Sequence, residues 1–293
     1  MTPSASAGPL SGGPDPDALL APWRARWALT PDGPAFATAS SVLQPVSLGG
    51  RAAFLKLATA AEEAAGGRVL RWWDGRGAAP VLAAEGDALV LARASGDDDL
   101  AASAASGVDG DDEATRILCR AALRLHRIDD RPRPDGLFDL RRWFAELFEH
   151  AAAHPHAHDG MFVHAAAEAG ALLAAPEGDV VLHGDLHHGN VLDFGGDGWL
   201  AIDPKHLHGD PAFDFANILC NPDEAVALAP GRLERAVAVI GAETGIGERR
   251  MLRWALAWAG LSAAWSERSG DDASIAVGVG LRASRALSSR SCG

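Results

Sequence analysis

The sequence predicts an α+β protein of two lobes, in which a small β-rich N-terminal lobe precedes a larger helical C-terminal lobe. Short apolar segments separated by glycine-containing turns dominate residues 21–94, whereas long Ala- and Leu-rich segments with helical spacing follow. A polar, glycine-containing stretch at 95–99 separates the two. We therefore expect a disordered leader at 1–20, an N-terminal nucleotide-binding lobe at 21–94 and a C-terminal lobe at 95–293. Ligand sites are expected in the cleft between the lobes.

The elements of the smaller lobe follow from its turns. Gly49-Gly50 separates two apolar runs and is typical of a two-residue hairpin, and Glu85-Gly86-Asp87 separates two more. An Ala- and Glu-rich segment between the hairpins favours a helix. The predicted elements are strands at 42–48, 51–57, 79–84 and 88–94 and a helix at 58–70, within a region, 23–57, that carries strand signals throughout.

The larger lobe is expected to be mainly helical. Helical periodicity or Ala-rich composition predicts helices at 111–128, 137–153, 161–175, 223–241 and 247–267. Between them, a short strand at 180–182 leads into a His-rich loop, and a hairpin at 191–202 follows it. This loop lies between two strands, which is where polar groups are held on a rigid base.

Composition excludes several classes of function. The chain has 293 residues, of which 48% are hydrophobic and 22% charged, so it can build a core without disulfides or structural metals. The formal net charge of −13 argues against a nucleic-acid partner, because phosphates require a basic face. An acidic chain suits a cationic small molecule, although solubility alone also explains the charge. Nothing in the sequence indicates an oligomeric state.

Cysteine content and hydropathy indicate a soluble cytoplasmic protein. Cys119, Cys220 and Cys292 are odd in number and widely spaced, so neither a disulfide framework nor a Cys-rich zinc site is expected. The leader has no basic and apolar regions typical of a signal peptide. The longest apolar stretch, 254–265, is too short to cross a bilayer, so no membrane partner is expected.

The densest polar cluster is His183-Gly-Asp-Leu-His-His-Gly-Asn190, and Asp203 ends the hairpin that follows it. The hairpin folds Asp203 back beside the loop, so Asp185, Asn190 and Asp203 can converge on one point. Such oxygen ligands suit Mg²⁺ together with substrate phosphates. The spacing is that of the protein-kinase catalytic loop, His-x-Asp-x-x-x-x-Asn, followed by a metal-binding Asp. It predicts Asp185 as the catalytic base and Asn190 and Asp203 as Mg²⁺ ligands against the phosphates of ATP.

A kinase also needs a strand lysine that reaches the phosphates and pairs with a helix glutamate. Only two of the 26 basic residues are lysines, Lys56 and Lys205, and Lys56 lies in the second strand of the first hairpin. Glu62 and Glu63 both follow at the start of the predicted helix, either within reach. The alternative is an exposed edge-strand lysine that prevents aggregation.

With these residues in place, the chain resembles the aminoglycoside phosphotransferases, within the branch of streptomycin 6-kinases and hydroxyurea resistance kinases. The resemblance spans residues 25–285 and is most specific at 183–214. The segments that carry it are His183–Asn190, Trp199-Leu-Ala-Ile-Asp-Pro204, Gly209-Asp-Pro-Ala-Phe-Asp-Phe-Ala216, Arg71–Gly77 and Leu261–Trp265.

The resemblance implies a two-lobed protein-kinase-like fold and transfer of the ATP γ-phosphate to a small-molecule hydroxyl, with streptomycin or a related aminoglycoside as acceptor and antibiotic inactivation as the outcome. It favours Glu63 over Glu62. It also places Ala92 and Ala94 in a hinge that binds adenine through backbone atoms, and Ser40 and Ser41 in a loop over the phosphates. No Gly-x-Gly-x-x-Gly is present, which is a departure from protein kinases.

For a cationic acceptor we expect carboxylates, which bind guanidinium groups in pairs of hydrogen bonds. The candidates are Glu267, Asp271 and Asp272, which follow Trp265 near the end of the last predicted helix; the alternative is a solvated helix end. His183 and Asp214 are expected to brace the catalytic loop. His206 and His208 are a less favoured second metal site, because no further ligand completes it.

Three other functions remain open from the sequence. A metal-dependent hydrolase could use the histidines at 183, 187 and 188 together with Asp185 and Asp203. A kinase could act on another small metabolite, such as an amino sugar. A kinase-shaped module could bind a ligand without catalysis, although all three core polar residues are present.

Overall fold

An antiparallel sheet with two helices forms the N-terminal lobe of the structure, a computed structural model that describes residues 15–289. The strand order is β1-β3-β4-β6-β5, with β2 paired to β3. The elements are α1 (Pro16–Trp27), β1 (Thr30–Pro31), β2 (Phe36–Ala37), β3 (Ser41–Leu48), β4 (Arg51–Ala58), α2 (Ala61–Trp73), β5 (Val81–Glu85) and β6 (Ala88–Ala92). Both predicted hairpins and the predicted helix are therefore present.

Strand β4 lies inside the sheet and carries Lys56. Gly49 and Gly50 adopt φ of 58° and 87°, which lets a two-residue turn join β3 to β4. Lys56 pairs with Leu43 of β3 on one side and with Leu89 of β6 on the other. The edge-strand alternative for Lys56 is therefore wrong, and the buried side chain must be explained by partners within the protein.

Helix α1 corrects the predicted leader. Residues 1–14 of that leader lie outside the described residues, but Asp15 caps α1 by accepting a hydrogen bond from the Asp17 N–H. Leu20 is fully buried in one cluster with Val46 and Leu55. The strand signals that begin at residue 23 are also wrong there, since α1 continues to Trp27 and covers the sheet.

The C-terminal lobe is mainly helical, as predicted. Helix α11 lies at its centre and packs against α7 and α12. The helices are α3 (Leu100–Ala105), α4 (Val108–His126), α5 (Leu140–Trp143), α6 (Ala145–Ala153), α7 (Met161–Ala174), α8 (Phe213–Ala216), α9 (Glu224–Ala227), α10 (Arg232–Thr244), α11 (Glu248–Ser269) and α12 (Ser274–Ser289). The predicted helix at 223–241 is two helices, α9 and α10, and α12 was not predicted.

Short strands carry the loops of this lobe. They are β7 (Phe138–Asp139), β8 (Val180–Leu182), β9 (Val191–Asp193), β10 (Trp199–Ala201) and β11 (Leu207–Gly209). Strands β9 and β10 form the predicted hairpin, while β11 lies between β7 and β8. The fold class predicted from the sequence is confirmed. The connection from β6 to α3, residues 93–99, contains the predicted lobe boundary.

Helix α2 fixes one lobe against the other. A Cβ at Gly66 would lie 2.2 Å from the carbonyl oxygen of Pro204, so only glycine allows this approach. The fully buried Trp73 stacks on the His183 ring with 6.1 Å between ring centroids. Because α2 also carries Glu62 and Glu63, its position relative to the catalytic loop is set by packing.

The described residues add two facts about environment. No helix within 15–289 is long and apolar enough to cross a bilayer. Cys119 and Cys220 are free thiols, and burial raises the pKa of the Cys220 thiol to about 12. Cys292 lies outside the described residues.

Candidate active site

His183 anchors the loop between β8 and β9 through hydrogen bonds to the backbone. Its Nε2 donates to the Ile202 carbonyl oxygen at 2.8 Å, and its Nδ1 accepts from the Asp185 N–H at 3.3 Å. Burial lowers the pKa of His183, which keeps the ring neutral and able to make both contacts. His183 thus ties the loop to the end of the β9–β10 hairpin, as expected.

Asp214 is the second brace. Its carboxylate accepts from the N–H groups of His183 and Gly184 at 2.9 and 2.8 Å and from His126 Nε2 at 2.7 Å. Burial alone would raise the pKa of Asp214, but the hydrogen bonds from His126 and Gly184 outweigh it and hold the pKa below its usual value. A buried, ionised carboxylate therefore fixes the start of the catalytic loop.

We expect Asp214→Asn to lower the free energy of unfolding by about 2 kcal/mol, because an amide nitrogen would then face a backbone N–H. A lowered folded-state pKa means that the carboxylate contributes its full stability above the unfolded pKa near 3.8 and loses it only as pH falls below that value. Urea denaturation should therefore show the same difference from wild type at pH 7 and at pH 5.

The control is Asp87→Asn, at an exposed turn, which should change stability by less than about 0.5 kcal/mol. If the difference in free energy of unfolding between wild type and Asp214→Asn disappeared between pH 7 and pH 5, the pKa of Asp214 would lie above its usual value. That result would contradict the stabilisation of the carboxylate by its hydrogen bonds.

Asp185 is oriented by a chain of amides. Its Oδ1 accepts from Asn217 Nδ2 at 3.0 Å, and Asn217 Oδ1 in turn accepts from Trp258 Nε1 at 3.0 Å and from Asn221 Nδ2 at 2.9 Å. The sequence analysis missed Asn217; the one signal was an amide within the otherwise apolar run that ends the Gly-Asp-Pro segment. The second carboxylate oxygen of Asp185, Oδ2, lies 3.8 Å from Lys205 Nζ.

Asn190 contacts the Asp185 loop, and its backbone pairs with Ile202, the residue directly before Asp203. Asn190 Nδ2 donates to the Asp185 carbonyl oxygen at 2.9 Å, and the Asn190 carbonyl accepts from the Ile202 N–H at 2.9 Å. Asp203 adopts a left-handed φ of 53° directly after β10. A carboxylate and an amide oxygen are hard ligands of the kind that Mg²⁺ takes together with phosphate oxygens and water.

Lys56 reaches across the cleft to this group. Its Nζ lies 2.5 Å from Asp203 Oδ1 and also forms an ion pair with Glu63. Burial by itself lowers the pKa of Lys56, but the charges of Asp203 and Glu63 outweigh it, so the pKa is raised and the amine stays protonated. Glu63, not Glu62, is thus the partner, and Ser40 Oγ donates to Glu63 Oε2 at 2.9 Å.

The predicted hinge belongs to an apolar cluster that joins β5 and β6 to the β9–β10 hairpin. The Ala92 N–H donates to the Pro80 carbonyl, and the partly buried Ala94 packs against the same cluster. Leu192 of β9 and Ile202, which follows β10, also pack against it, and neither was predicted from the sequence. The cluster residues are Ala79, Leu82, Ala92, Ala94, Leu192, Phe194, Leu200 and Ile202. Of the two serines predicted over the phosphates, Ser41 is buried at the start of β3.

Asp185 opens into a cavity of about 780 Å³, within the size range of small-molecule sites. Three tryptophans stand in its wall with Trp143–Trp265 and Trp258–Trp265 ring centroids 5.4 and 5.8 Å apart. The charged residues that line it are Glu62, Glu146, Glu149, Asp185, Arg142, Lys205 and Arg268. Trp265, predicted at the acceptor site, is therefore a wall residue.

The three carboxylates predicted beside Trp265 do not line this cavity, and that prediction is corrected. Glu267 accepts from His150 Nε2 and His158 Nε2 at 2.9 and 2.6 Å on another face of α11. Asp272 caps α12 through the Ser274 N–H, and Asp271 is exposed. Helical rotation explains the error, because residues two apart on a helix point in different directions.

The hydrolase alternative is not supported. Among residues 15–289, no three His, Cys, Asp or Glu side chains are arranged to hold a metal ion. Both ring nitrogens of His183 already have partners, and His188 is buried, where burial lowers its pKa to about 3. His206 and His208 belong to no such group within these residues, and His208 Nδ1 lies 2.9 Å from Asp179 Oδ1.

Comparison with known proteins agrees with this geometry. The family described as aminoglycoside/hydroxyurea antibiotic resistance kinase matches residues 26–270. A streptomycin 3''-kinase of Klebsiella pneumoniae is 51% identical over 245 residues, which cover 82% of this chain and 89% of that one. A streptomycin 6-kinase of Streptomyces griseus is 36% identical over 209 residues, covering 68% and 64%.

A solved structure shows the same fold. A thermostable mutant of aminoglycoside phosphotransferase APH(4)-Ia, in complex with AMP-PNP and hygromycin B, aligns with a TM-score of 0.63 at 17% identity and covers 92% of this chain and 98% of that one. With a family match over most of the chain, a kinase-like fold and the Asp185–Asn190–Asp203–Lys56 constellation, the chain belongs to the aminoglycoside/hydroxyurea antibiotic resistance kinase family.

Proposed function

We propose that the protein transfers the γ-phosphate of ATP to the 3''-hydroxyl of streptomycin, and that it does so in the cytoplasm, where ATP is supplied. The observation that carries the proposal is the cavity in front of Asp185, lined by tryptophans and by Glu62, Glu146 and Glu149. With Asp185, the carboxylates of this wall outnumber its three basic side chains, Arg142, Lys205 and Arg268, by one. Such a wall suits a cationic acceptor, since carboxylates and indole faces both attract cations. The 51% identity to a streptomycin 3''-kinase supports the choice of hydroxyl.

The chemistry needs a base, a positioned nucleotide and charge neutralisation. Asp185 would accept the proton of the acceptor hydroxyl as its oxygen attacks the γ-phosphorus. Lys56 would contact the phosphates, and Asn190 and Asp203 would hold Mg²⁺, which neutralises phosphate charge when bound. Because phosphoryl transfer needs little covalent help, this arrangement contributes mainly positioning and electrostatics.

The nucleotide would lie in the cleft between the lobes. Its adenine would pack on the apolar residues around Ile202 and hydrogen-bond to the Ala92 carbonyl and the Ala94 N–H, while Ser40 and Ser41 would lie in the segment over the phosphates. Support for this pose comes from Ile202, which packs against that apolar cluster and directly precedes Asp203, the carboxylate that contacts Lys56.

The acceptor would be held by its positive groups. Glu146 Oε1 is buried and receives no hydrogen bond within the described residues, although Arg268 Nη1 lies 3.2 Å away. A guanidinium group of streptomycin would take the place of Arg268 at this carboxylate, in the two-hydrogen-bond geometry that carboxylates prefer. Trp143 and Trp265 would pack on the remaining faces.

The test is an ADP-release assay with Mg-ATP against streptomycin, other aminoglycosides, hydroxyurea and amino sugars. We expect streptomycin-dependent ADP release and a product phosphorylated at the 3''-hydroxyl by NMR. Phosphorylation at the 6-hydroxyl would correct the position, and turnover with an amino sugar but not streptomycin would replace the acceptor. ATP binding with no acceptor-dependent ADP release would favour the binding module instead.

We expect Glu146→Gln to raise KM for streptomycin about tenfold with little change in kcat, because the lost charge-assisted hydrogen bond contributes to binding in both ground and transition states. Steady-state kinetics check this, with the exposed Glu113→Gln as the matched control. An unchanged KM for streptomycin would remove Glu146 from the acceptor site.

A further inference from the structure

The second lysine of the chain, Lys205, lies in the cleft and has no role in the reaction as described so far. The protein uses arginine nearly everywhere, and both of its lysines, Lys56 and Lys205, lie at this site. A compact ammonium differs from the arginine fork in that it fits a small space as a point charge. The choice of lysine at both positions therefore indicates that Lys205, like Lys56, contacts a phosphate group.

The backbone holds Lys205 close to the catalytic base. Its N–H donates to the His183 carbonyl oxygen at 2.7 Å. A Cβ at Gly184, whose φ is +81°, would lie 2.7 Å from the Lys205 Cβ, so glycine is required for the lysine stem to pack there. Lys205 also lies two residues after Asp203, between the nucleotide side and the acceptor side of the site.

The ammonium is not bound tightly to either neighbouring carboxylate. Lys205 Nζ lies 3.8 Å from Asp185 Oδ2 and 3.8 Å from Glu62 Oε1, beyond the range of about 2.7–3.2 Å for hydrogen bonds. Its side chain is 29% exposed and lines the acceptor cavity. An amine in this state can contact an anion that arrives in front of Asp185 without first breaking a close ion pair.

We propose that Lys205 is a further catalytic residue, which contacts the phosphoryl group while it moves between ATP and the acceptor. The proposal rests on the proposed phosphotransfer. In that step the acceptor oxygen forms a bond to the γ-phosphorus, the bond to the β,γ-bridging oxygen breaks to leave ADP, and the hydroxyl proton passes to Asp185. Lys205 neutralises the negative charge on the phosphoryl oxygens.

The experiment compares Lys205→Met and Lys205→Arg with wild type. We expect Lys205→Met to lower kcat about 10²-fold, the loss typical of one fixed donor to developing charge, with KM for ATP and streptomycin changed less than about threefold. Lys205→Arg should restore part of kcat. The exposed Arg116→Met is the matched loss of positive charge and should behave as wild type.

Binding provides a readout that does not depend on turnover. By calorimetry, Lys205→Met should bind ADP as wild type does but should lose affinity for ADP with aluminium fluoride, a mimic of the transferring phosphoryl group. Equal affinity of wild type and Lys205→Met for the aluminium fluoride complex would overturn the proposal, whatever the acceptor of the enzyme is.

An alternative role of Lys205, in which it only neutralises the charge of Glu62, leads to a different expected result. If Lys205 only neutralises Glu62, the double variant Lys205→Met/Glu62→Gln should recover most of the lost kcat, and that result would also overturn the proposal. A loss that persists in the double variant supports contact with the phosphoryl group. If wild type fails to phosphorylate streptomycin, the proposed function fails, while the calorimetric comparison still decides the role of Lys205.

Discussion

Replacing Asp185 with asparagine is expected to lower kcat by about 10²- to 10⁴-fold, the range associated with loss of a general base. The asparagine Oδ1 can still accept from Asn217 Nδ2, a side-chain contact at hydrogen-bond distance that positions Asp185. The loss therefore reports the missing proton acceptor. Because the substitution keeps shape and nearby hydrogen bonds, the midpoint of thermal unfolding should stay within a few degrees of wild type.

The measurement is kcat for acceptor-dependent ADP release together with KM for both substrates. KM values should change little, since Asp185 acts mainly as the transition state forms. Asp197→Asn, an exposed aspartate in the turn between β9 and β10, is the control and should retain full activity. Near-wild-type kcat in Asp185→Asn would remove Asp185 from the role of base and, with it, the proposed mechanism.

Replacing Asp203 with asparagine is expected to lower kcat about 10³-fold, because the substitution removes both a metal-binding charge and the carboxylate that Lys56 contacts. Asparagine is the appropriate replacement, since the position has a φ of 53° and asparagine tolerates the left-handed region. Alanine would add backbone strain and confuse the result.

The role of Asp203 can be separated from that of Asp185 by titration with Mg²⁺. In Asp203→Asn, half-maximal activity should require a higher Mg²⁺ concentration than in wild type, whereas Asp185→Asn should leave that concentration unchanged. An unchanged Mg²⁺ requirement in Asp203→Asn would show that this carboxylate does not hold the metal.

Much of the site was readable because its residues are close in sequence. A loop of eight residues and the hairpin after it place Asn190 beside Asp185 and pair the Ile202 N–H, directly before Asp203, with the Asn190 carbonyl, so short spacing alone could suggest this arrangement. Lys56 was found in another way: in a chain with two lysines, one inside an apolar strand needs a charged partner.

The errors share a physical cause, which is that orientation depends on packing. Glu267 follows Trp265 in sequence, but the helix turns Trp265 to the cavity and Glu267 to His150 and His158. The start of α1 was taken as a leader because its polar, proline-containing N-terminus resembles disordered sequence, whereas the burial of Leu20 against the sheet decides its state.

By itself, the sequence determined the two-lobed α+β class, the catalytic loop and its lysine, since these depend on local periodicity and short spacing. Tertiary structure alone decided that Asn217 orients Asp185 and which carboxylates line the cavity in front of Asp185. These contacts join elements far apart in the chain, and their geometry follows from how helices such as α2 and α11 rotate and pack, which no single segment encodes.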